Sequence, residues 1–209
     1  MMMEVPRLDD LVQMYASRRA ELDQQGVYFL RDINDEEAER FSKAILIMGS
    51  ARKGYPAPPI RIFVNSGGGS VAAGFAIMEM MYKAKRDYGV SINTIITGYA
   101  YSMGAIIFQA GDHRTMGYFS SMMLHSLQWV ISGEDRTIFK DYEKLSAHYQ
   151  KLISELFAAR THKHNARWWR NYIYSGHEHF LSAHECLRLG LVDEVCKLDS
   201  CYLKLPGDP

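Results

Sequence analysis

The sequence predicts an α/β fold in which parallel strands are connected by helices. Three apolar segments rich in β-branched residues are typical of buried strands: 27–30, 60–64 and 91–97. A helical pattern follows each of them, at 34–48, 71–86 and 103–110. Because a strand, a helix and a further strand in this order form a crossover unit, neighbouring strands are expected to run parallel. A chain of 209 residues is long enough for one domain with a substantial core.

The composition argues against several classes of function. Hydrophobic residues make up 47% of the chain and the formal net charge is zero, so no electrostatic attraction to nucleic acid or to an anionic membrane is expected. No apolar run approaches the roughly 20 residues of a membrane span, and the start of the sequence does not resemble a signal peptide. The three cysteines form no Cys-x-x-Cys pair and are odd in number, which favours reduced thiols and a cytoplasmic location, although a pair between Cys196 and Cys201 is an alternative.

The N-terminal part combines an uncertain segment with a well-marked helix. Residues 4–24 are charged with a loose apolar spacing, which is typical of a short amphipathic helix or of an arm that orders only against a partner. After the strand at 27–30, Asn34 has the position of a helix N-cap. Three acidic residues follow it in the first turn, at 35–37, where negative charge favours the helix dipole. A loop rich in Gly and Pro, 49–59, then leads to the next strand.

A glycine-rich loop, Asn-Ser-Gly-Gly-Gly-Ser at 65–70, connects the second strand to its helix. Glycines at such a junction allow unusual backbone angles and bring N–H groups close to a ligand. A phosphate-binding loop is one interpretation, but no Gly-Lys-Ser/Thr follows and the Gly-x-Gly-x-x-Gly order is absent. An oxyanion-binding loop fits better, since it needs only a free N–H directed at one oxygen. A plain flexible turn is the remaining interpretation.

The segment Gly-Tyr-Ala-Tyr-Ser-Met-Gly at 98–104 lies where the third strand turns into a helix, with small residues on both sides of Ser102. A serine there has the layout of a nucleophile elbow, although the pattern is not Gly-x-Ser-x-Gly. The alternative is a serine that caps a buried helix. The next predicted strand, 121–125, ends in His125, which could fold back onto Ser102 and act as a general base near neutral pH.

The longest predicted helix covers 134–161, about 40 Å at 1.5 Å per residue. Its apolar residues recur at alternating steps of four and three: Ile138, Tyr142, Leu145, Tyr149, Leu152 and Leu156. A helix of this length in a chain of this size is expected to project from the domain and to bury this seam on another subunit. The alternative is a helix that lies across its own sheet.

The segment after the long helix, 161–174, is basic and aromatic and includes Trp168 and Trp169. Nucleic-acid stacking is one interpretation, but the patch is short and the chain is neutral, so a packed aromatic anchor is favoured. A capping box at 182–185 opens a short helix that ends at Gly190, and 191–195 is a last strand. Several histidines lie nearby, but none forms His-Glu-x-x-His and no cysteine stands at ligand spacing, so no metal is expected.

Taken in order, these segments carry a family resemblance. The matching pieces are 27–30 with its acidic helix start, Phe-Val-Asn-Ser-Gly-Gly-Gly-Ser-Val at 63–71, Gly-Tyr-Ala-Tyr-Ser-Met-Gly-Ala at 98–105, Met-Leu-His at 123–125, the long helix, and 180–183 with 190–193. Over about residues 26–196 the chain resembles the ClpP family of self-compartmentalised serine peptidases. The resemblance implies a ClpP/crotonase-like fold of stacked β-α-β units and a projecting long "handle" helix.

The same resemblance implies the residues of an active site. Ser102 corresponds to the nucleophile and His125 to the general base, while the backbone N–H groups of Gly69 and Met103 correspond to the oxyanion hole. The family's triad aspartate falls on Glu178, which reaches one methylene further. In the family an arginine just before this acid helps to couple the two rings of the assembly, and His177 stands in its place here. The expected substrate-binding residues are Gly68, Ser70, Val71, Leu127 and Trp129, of which the bulky Trp129 is expected to narrow the cleft.

The resemblance also implies an assembly and a function. We expect an N-terminal arm or axial loop at 1–25, a peptidase domain at 26–198 and a C-terminal tail at 199–209. The expected function is a serine endopeptidase without cofactor that hydrolyses unfolded polypeptides to short peptides. Its expected assembly is a homo-oligomer of two stacked heptameric rings, fed by an AAA+ unfoldase of the Clp ATPase type. The alternatives are an inactive or partner-dependent ring subunit, a phage or signal-peptide-peptidase type of serine peptidase, and a crotonase-type acyl-CoA enzyme.

Overall fold

The computed structural model describes residues 25–54, 56–128 and 136–196, together with residues 17, 21 and 22. Most of the predicted N-terminal arm, the C-terminal tail and Trp129 lie outside these residues. The elements run in the order β1 Val27–Ile33, α1 Asp35–Ser50, β2 Ile60–Gly69, α2 Val71–Tyr88, β3 Ile92–Tyr101, α3 Met103–Phe108, β4 His113–Gly117, β5 Ser121–Leu124, α4 Arg136–Thr161, α5 Ala166–Ile173, β6 His179–Ser182, α6 Ala183–Leu189 and β7 Glu194–Cys196.

The sheet is built mainly from parallel strands in the order β1-β2-β3-β4-β7. The predicted α/β class with β-α-β units is therefore confirmed. Strand β3 changes partner along its length, since residues 93–96 pair with β4 and residues 99–101 pair with β5. The change falls at Gly98, whose φ is 93° and whose N–H donates to Ser120 Oγ at 3.0 Å. This fork brings the end of β3 and the end of β5 side by side.

Alternating burial along the strands explains why these segments form the sheet. On β2, Ile60, Ile62 and Val64 are fully buried, while Arg61 is exposed. Helices α1 and α2 cover the sheet with apolar side chains that are also buried: Phe41, Ile45, Met48, Ile77 and Met81. Each such side chain contributes roughly 1.5–3 kcal/mol on burial. The core therefore lies under the strands that end at the Gly-rich loop and at Ser102.

The helix ends agree with the local signals in the sequence. Asn34 Oδ1 accepts a hydrogen bond from the Glu37 N–H at 2.8 Å, as an N-cap does. At the start of α6, Ser182 and Glu185 form a complete capping box, and Gly190 ends the helix with a φ of 74°. These signals are predictable because each depends on residues within one helical turn.

The long helix α4 is exposed along its first half and packed along its last turns. Ile153 and Phe157 are buried, and the Phe157 ring contacts Trp169 of α5 with centroids 5.1 Å apart. Part of the predicted seam packs within the chain, since Tyr149 contacts Phe75 and Leu156 packs against the core. Tyr142, Leu145 and Leu152 remain 37–39% exposed. The prediction of a projecting helix is confirmed, and its C-terminal turns pack against α5.

The aromatic segment after α4 is a packed anchor. Trp169 is fully buried and its indole N–H donates to Thr161 Oγ1 at 3.1 Å. Trp168 is half-buried, with its ring stacked on His164 and on Tyr172. Because neighbouring rings already stack on this indole, the segment does not offer it as a platform for nucleic-acid bases.

Two sequence-based expectations concern cysteine and the membrane. Cys186 is a buried free thiol, and burial raises its pKa to about 12, but Cys196 is disulfide-bonded. The expectation of reduced thiols is therefore wrong for Cys196.

Within the residues that the structure describes, none of the helices has both the length and the apolar character of a membrane span.

Candidate active site

Ser102 forms a strained turn between β3 and α3. Its backbone has φ 53° and ψ −123°, a conformation that costs a residue with a Cβ about 1–3 kcal/mol. The turn is held because the Ser102 N–H donates to Met123 O of β5 at 2.9 Å. Its hydroxyl makes no capping hydrogen bond to α3, so the interpretation of Ser102 as a helix cap is wrong. The strained turn instead leaves the hydroxyl available to another group.

That group is His125, which follows the last residue of β5. The His125 Nε2 atom lies 2.8 Å from Ser102 Oγ. The register explains this contact, since Tyr101 of β3 pairs with Met123 of β5 and both segments leave the sheet just after this pair. With Nε2 unprotonated, the hydroxyl donates to the imidazole, which is the arrangement needed to remove the serine proton. The structure therefore brings together the two residues that the sequence singled out most strongly.

The Gly-rich loop comes so close to Ser102 that it excludes side chains. A Cβ on Gly68 would lie 2.7 Å from Ser102 Cβ, and the Gly68 φ of 102° is itself unfavourable for a side chain. A Cβ on Gly69 would lie 2.1 Å from Ile33 O. The loop is fixed by hydrogen bonds from the Gly68 N–H to Ser66 Oγ at 3.1 Å and from the Ser70 N–H to Ile33 O at 2.8 Å. The flexible-turn interpretation does not describe this tightly held loop.

The two expected oxyanion-hole residues, Gly69 and Met103, both line the cavity that contains Ser102. Met103 is the first residue of α3, so its N–H has no acceptor within the helix. After Gly69, the Ser70 N–H donates to Ile33 O of β1. That the Gly69 N–H faces the serine stays a prediction.

The cavity beside Ser102 has a volume of about 370 Å³. Its wall is part polar and part apolar, and the apolar part includes side chains from four helices: Val71, Met103, Ile106, Ile153, Phe157 and Ile173. Of the expected substrate-binding residues, Val71 and Leu127 line this cavity. Gly68 packs directly on Ser102 instead, and Ser70 Oγ caps α2 by accepting from the Ala73 N–H at 3.3 Å. Trp129 lies outside the described residues, so its effect on the cleft stays a prediction.

Residues from α4 and α5 were missed from the sequence. Ile153, Phe157 and Ile173 were assigned no role in the site, yet they form its far wall. The only local signal was the i, i+4 spacing of Ile153 and Phe157, which any core-facing helix shows. Tyr174 also lines the cavity, and its buried hydroxyl has no hydrogen-bond partner in the described part of the chain. Burial raises the pKa of this hydroxyl far above its usual range.

Glu178 lies near His125 in the chain topology but does not contact it. Strands β5 and β6 pair antiparallel, and their last registered pair is Leu124 with His179. One further step of this ladder would set His125 opposite Glu178, on the same face of the sheet. In the structure the Glu178 side chain is exposed, and among the described residues it makes no hydrogen bond. The His125 ring likewise bonds only to Ser102 within that part of the chain.

Asp193, the other acid considered for this role, is committed elsewhere. Arg114 donates to both of its carboxylate oxygens, at 2.5 Å through Nη2 and at 3.0 Å through Nε. Burial raises the pKa of Asp193, but the hydrogen bonds and charge of Arg114 outweigh it and lower the pKa overall. Arg114 Nη1 also donates to Gln109, which follows α3 directly. This network therefore anchors the far end of the helix that begins after Ser102.

Comparisons with known proteins agree with this geometry. The model of the Clp protease family matches residues 10–199. The chain is similar to proteins named ATP-dependent Clp protease proteolytic subunit from Bacteroides thetaiotaomicron, at 29% identity over 81% of this chain and 73% of the relative, and from Oltmannsiellopsis viridis, at 28% identity over 81% and 82%. It is also similar to the ATP-dependent Clp protease proteolytic subunit 1 of Gloeobacter violaceus, at 27% identity over 81% of each chain.

Proposed function

The chain belongs to the Clp protease family, and from that premise we propose that it is a serine endopeptidase that hydrolyses unfolded polypeptides to short peptides. The observation that carries the proposal is the 2.8 Å contact between Ser102 Oγ and His125 Nε2 at a strained turn beside a cavity. A serine whose hydroxyl merely caps a helix needs neither the left-handed turn nor the imidazole partner.

The chemistry follows from these positions. His125 Nε2 accepts the Ser102 proton while Ser102 Oγ attacks the carbonyl carbon of the scissile peptide. The N–H groups of Gly69 and Met103 hold the oxyanion of the tetrahedral intermediate. The imidazolium then gives its proton to the leaving amine, and the acyl group stays on Ser102. A water molecule, deprotonated by His125, releases the second peptide and restores the serine.

Glu178 is proposed as the residue that orients His125 through Nδ1. The β5–β6 register supports this role, because one more residue pair sets the two side chains opposite each other. The Glu178 side chain is exposed, so its rotation is not blocked by core packing. The extra methylene relative to aspartate gives Glu178 a longer reach across this gap.

The cavity supports a preference for substrates with an apolar side chain beside the scissile bond. Val71, Ile106 and Phe157 offer such a side chain apolar surface, and its burial there is favourable by about 25 cal/mol per Å². Leu127 lies at the same cavity, while Gly68, Ser70 and Trp129 stay predicted contacts to the substrate along the cleft.

We also propose that the chain acts in a ring assembly. The exposed seam of α4, with Tyr142, Leu145 and Leu152, is suited to burial against a second copy of the helix. Two stacked heptameric rings and an AAA+ unfoldase partner are the assembly that the family resemblance favours, and the relatives carry "ATP-dependent" in their names. The cytoplasmic location predicted from the sequence belongs to the same proposal.

A second candidate is a ring subunit that is inactive alone and becomes active in a mixed assembly. The observation that favours it is the missing contact between Glu178 and His125. In this case a partner subunit would have to shift the residues around Glu178.

Hydrolysis of a fluorogenic peptide by the full chain, with native mass spectrometry of the same sample, tests the proposal. We expect turnover by the wild type, loss of nearly all of it in Ser102→Ala, and unchanged turnover in Ser42→Ala, a control on α1 whose hydroxyl bonds only to Ala38 O. Glu178→Ala should lose most turnover and keep its assembly mass. No turnover by an assembled wild type would favour the second candidate, and turnover by Ser102→Ala would refute the proposed mechanism.

A further inference from the structure

Four aromatic rings form a continuous stack between the end of α4 and β6. His164 lies on Trp168 with ring centroids 3.7 Å apart and planes 13° from parallel. Trp168 lies on Tyr172 at 4.9 Å and 10°, and Tyr172 lies on His179 at 4.0 Å and 23°. Trp168 and Tyr172 occupy positions i and i+4 of α5, which places their rings one above the other. The aromatic side chains of α5 therefore reach the first residue of β6, where the Tyr172 ring stacks on His179.

His179 connects the aromatic stack to the proposed catalytic residues Glu178 and His125. It is the first residue of β6, and it pairs with Leu124, the residue before His125. It also directly follows Glu178 in the chain. Strand β6 has only four residues, and such a short edge strand frays at its ends unless another contact holds it.

A second contact closes the turn that carries Glu178. Ser175 Oγ lies 2.9 Å from His179 Nε2, and the His177 N–H donates to Ser175 Oγ at 3.4 Å. The Tyr172 ring is also contacted edge-on by Trp169, with ring centroids 5.9 Å apart. The turn at 175–178 therefore connects α5 to β6, and its C-terminal end is held by the contacts of His179.

We propose that the Tyr172–His179 stack positions Glu178, by holding the start of β6 in the register that sets Glu178 opposite His125. This inference rests on the proposed function, because it assigns Glu178 the task of orienting His125. Tyr172 is a positioning residue that acts through Glu178 and touches neither substrate nor Ser102. The stack keeps the β5–β6 ladder in place to its last pair, Leu124 with His179, next to which Glu178 and His125 follow.

The test compares peptide hydrolysis by Tyr172→Ala and Tyr172→Phe in the full chain. Tyr172→Ala removes the stacked pairs with Trp168 and with His179; loss of the His179 pair should lower kcat about three- to tenfold, with KM changed less than about twofold. Phenylalanine keeps the ring and should restore kcat to within about twofold of the wild type. Phe29→Ala is the matched control, because Phe29 is also stacked on another ring, that of Phe63 at 5.2 Å, but lies on β1. A kcat for Tyr172→Ala equal to that of the wild type, or an equal loss in Phe29→Ala, would overturn the inference.

A double-mutant cycle with Glu178→Ala decides whether Tyr172 acts through Glu178. In the Glu178→Ala background, Tyr172→Ala should have no further effect on kcat, because the residue that it positions is gone. A three- to tenfold loss that recurs in that background would show an independent structural role and refute the inference. Full activity of Glu178→Ala alone would refute it too, and would leave the proposed peptidase standing.

Hydrogen–deuterium exchange gives a readout that does not depend on activity. Backbone amides of 175–182 should exchange faster in Tyr172→Ala than in the wild type, and should be unaffected in Phe29→Ala. If Tyr172→Ala does not accumulate as folded protein, Tyr172→Leu keeps an apolar side chain on α5, removes the ring that stacks on His179, and serves for every measurement. Unchanged exchange at 175–182 would sink the inference, whereas a wild type without hydrolysis or covalent labelling of Ser102 would sink the proposed function.

Discussion

Replacing Gly68 with alanine tests how closely the Gly-rich loop is fitted to Ser102. The new Cβ would lie 2.7 Å from Ser102 Cβ and 3.0 Å from Tyr101 O, whereas carbon atoms pack best at about 3.5–4.0 Å. Relief of the clash therefore needs a displacement of about 1 Å. A misplacement of that size in catalytic geometry costs about 100-fold in rate. The φ of 102° adds about 1–3 kcal/mol of strain to the folded state.

Gly89→Ala is the matched control for this variant. Gly89 also has a positive φ, 67°, but a Cβ there would meet nothing within 4 Å. The control should lose about 1 kcal/mol of stability, or about 2–4 °C in Tm, with its reaction at Ser102 unchanged.

The assay is the second-order rate of covalent labelling of Ser102 by a fluorophosphonate, with Tm measured on the same samples. Gly68→Ala should label about 100-fold more slowly than the wild type, and Gly89→Ala at the wild-type rate. Wild-type labelling of Gly68→Ala would refute the argument that this loop sets the position of Ser102. Equally slow labelling of both variants would trace the loss to lowered stability and not to the clash.

The remaining predictions concern the stability of the elbow and its support. Alanine at position 102 keeps the Cβ and therefore the backbone strain, whereas glycine relieves it. Ser102→Gly should therefore be more stable than Ser102→Ala by about 1 kcal/mol, or about 2–4 °C in Tm. A lower Tm for the glycine variant would contradict the argument that this turn is strained. Asp193→Asn should cost about 2–4 kcal/mol, since Arg114 is buried, while Asp87→Asn in an exposed ion pair should change Tm little. The pKa of Asp193 is lowered in the folded state, so the Arg114 pair stabilises the protein above the ordinary pKa of about 4. This stabilisation is lost as the pH falls below that value. A Tm difference between Asp193→Asn and the wild type that persists unchanged at about pH 2 would contradict this prediction.

Local signals made the nucleophile and its base predictable from the sequence. Ser102 stands at a strand-to-helix turn flanked by small residues, and His125 directly follows the strand that pairs beside it. The caps at Asn34 and Ser182 were predictable for the same reason, since each depends on residues within one turn.

Features that depend on distant parts of the chain were not predictable in this way. Ile153 and Ile173 reach the cavity only because α4 and α5 pack across the end of the sheet, a relation that helical periodicity does not encode. Glu178 depends on one further pair at the end of a short antiparallel ladder. Gly68 was expected to contact substrate, and its steric fit against Ser102 is visible only in three dimensions.

Identification of the residue that a fluorophosphonate modifies tests the central claim most directly. Full-length protein is treated with the reagent, digested, and mapped by mass spectrometry, beside His125→Ala as a variant that lacks the proposed base. The account predicts modification of Ser102 in the wild type and loss of nearly all of it in His125→Ala, because the hydroxyl then lacks its proton acceptor. An unmodified Ser102 in the assembled wild type, or equally fast modification in His125→Ala, would contradict the account.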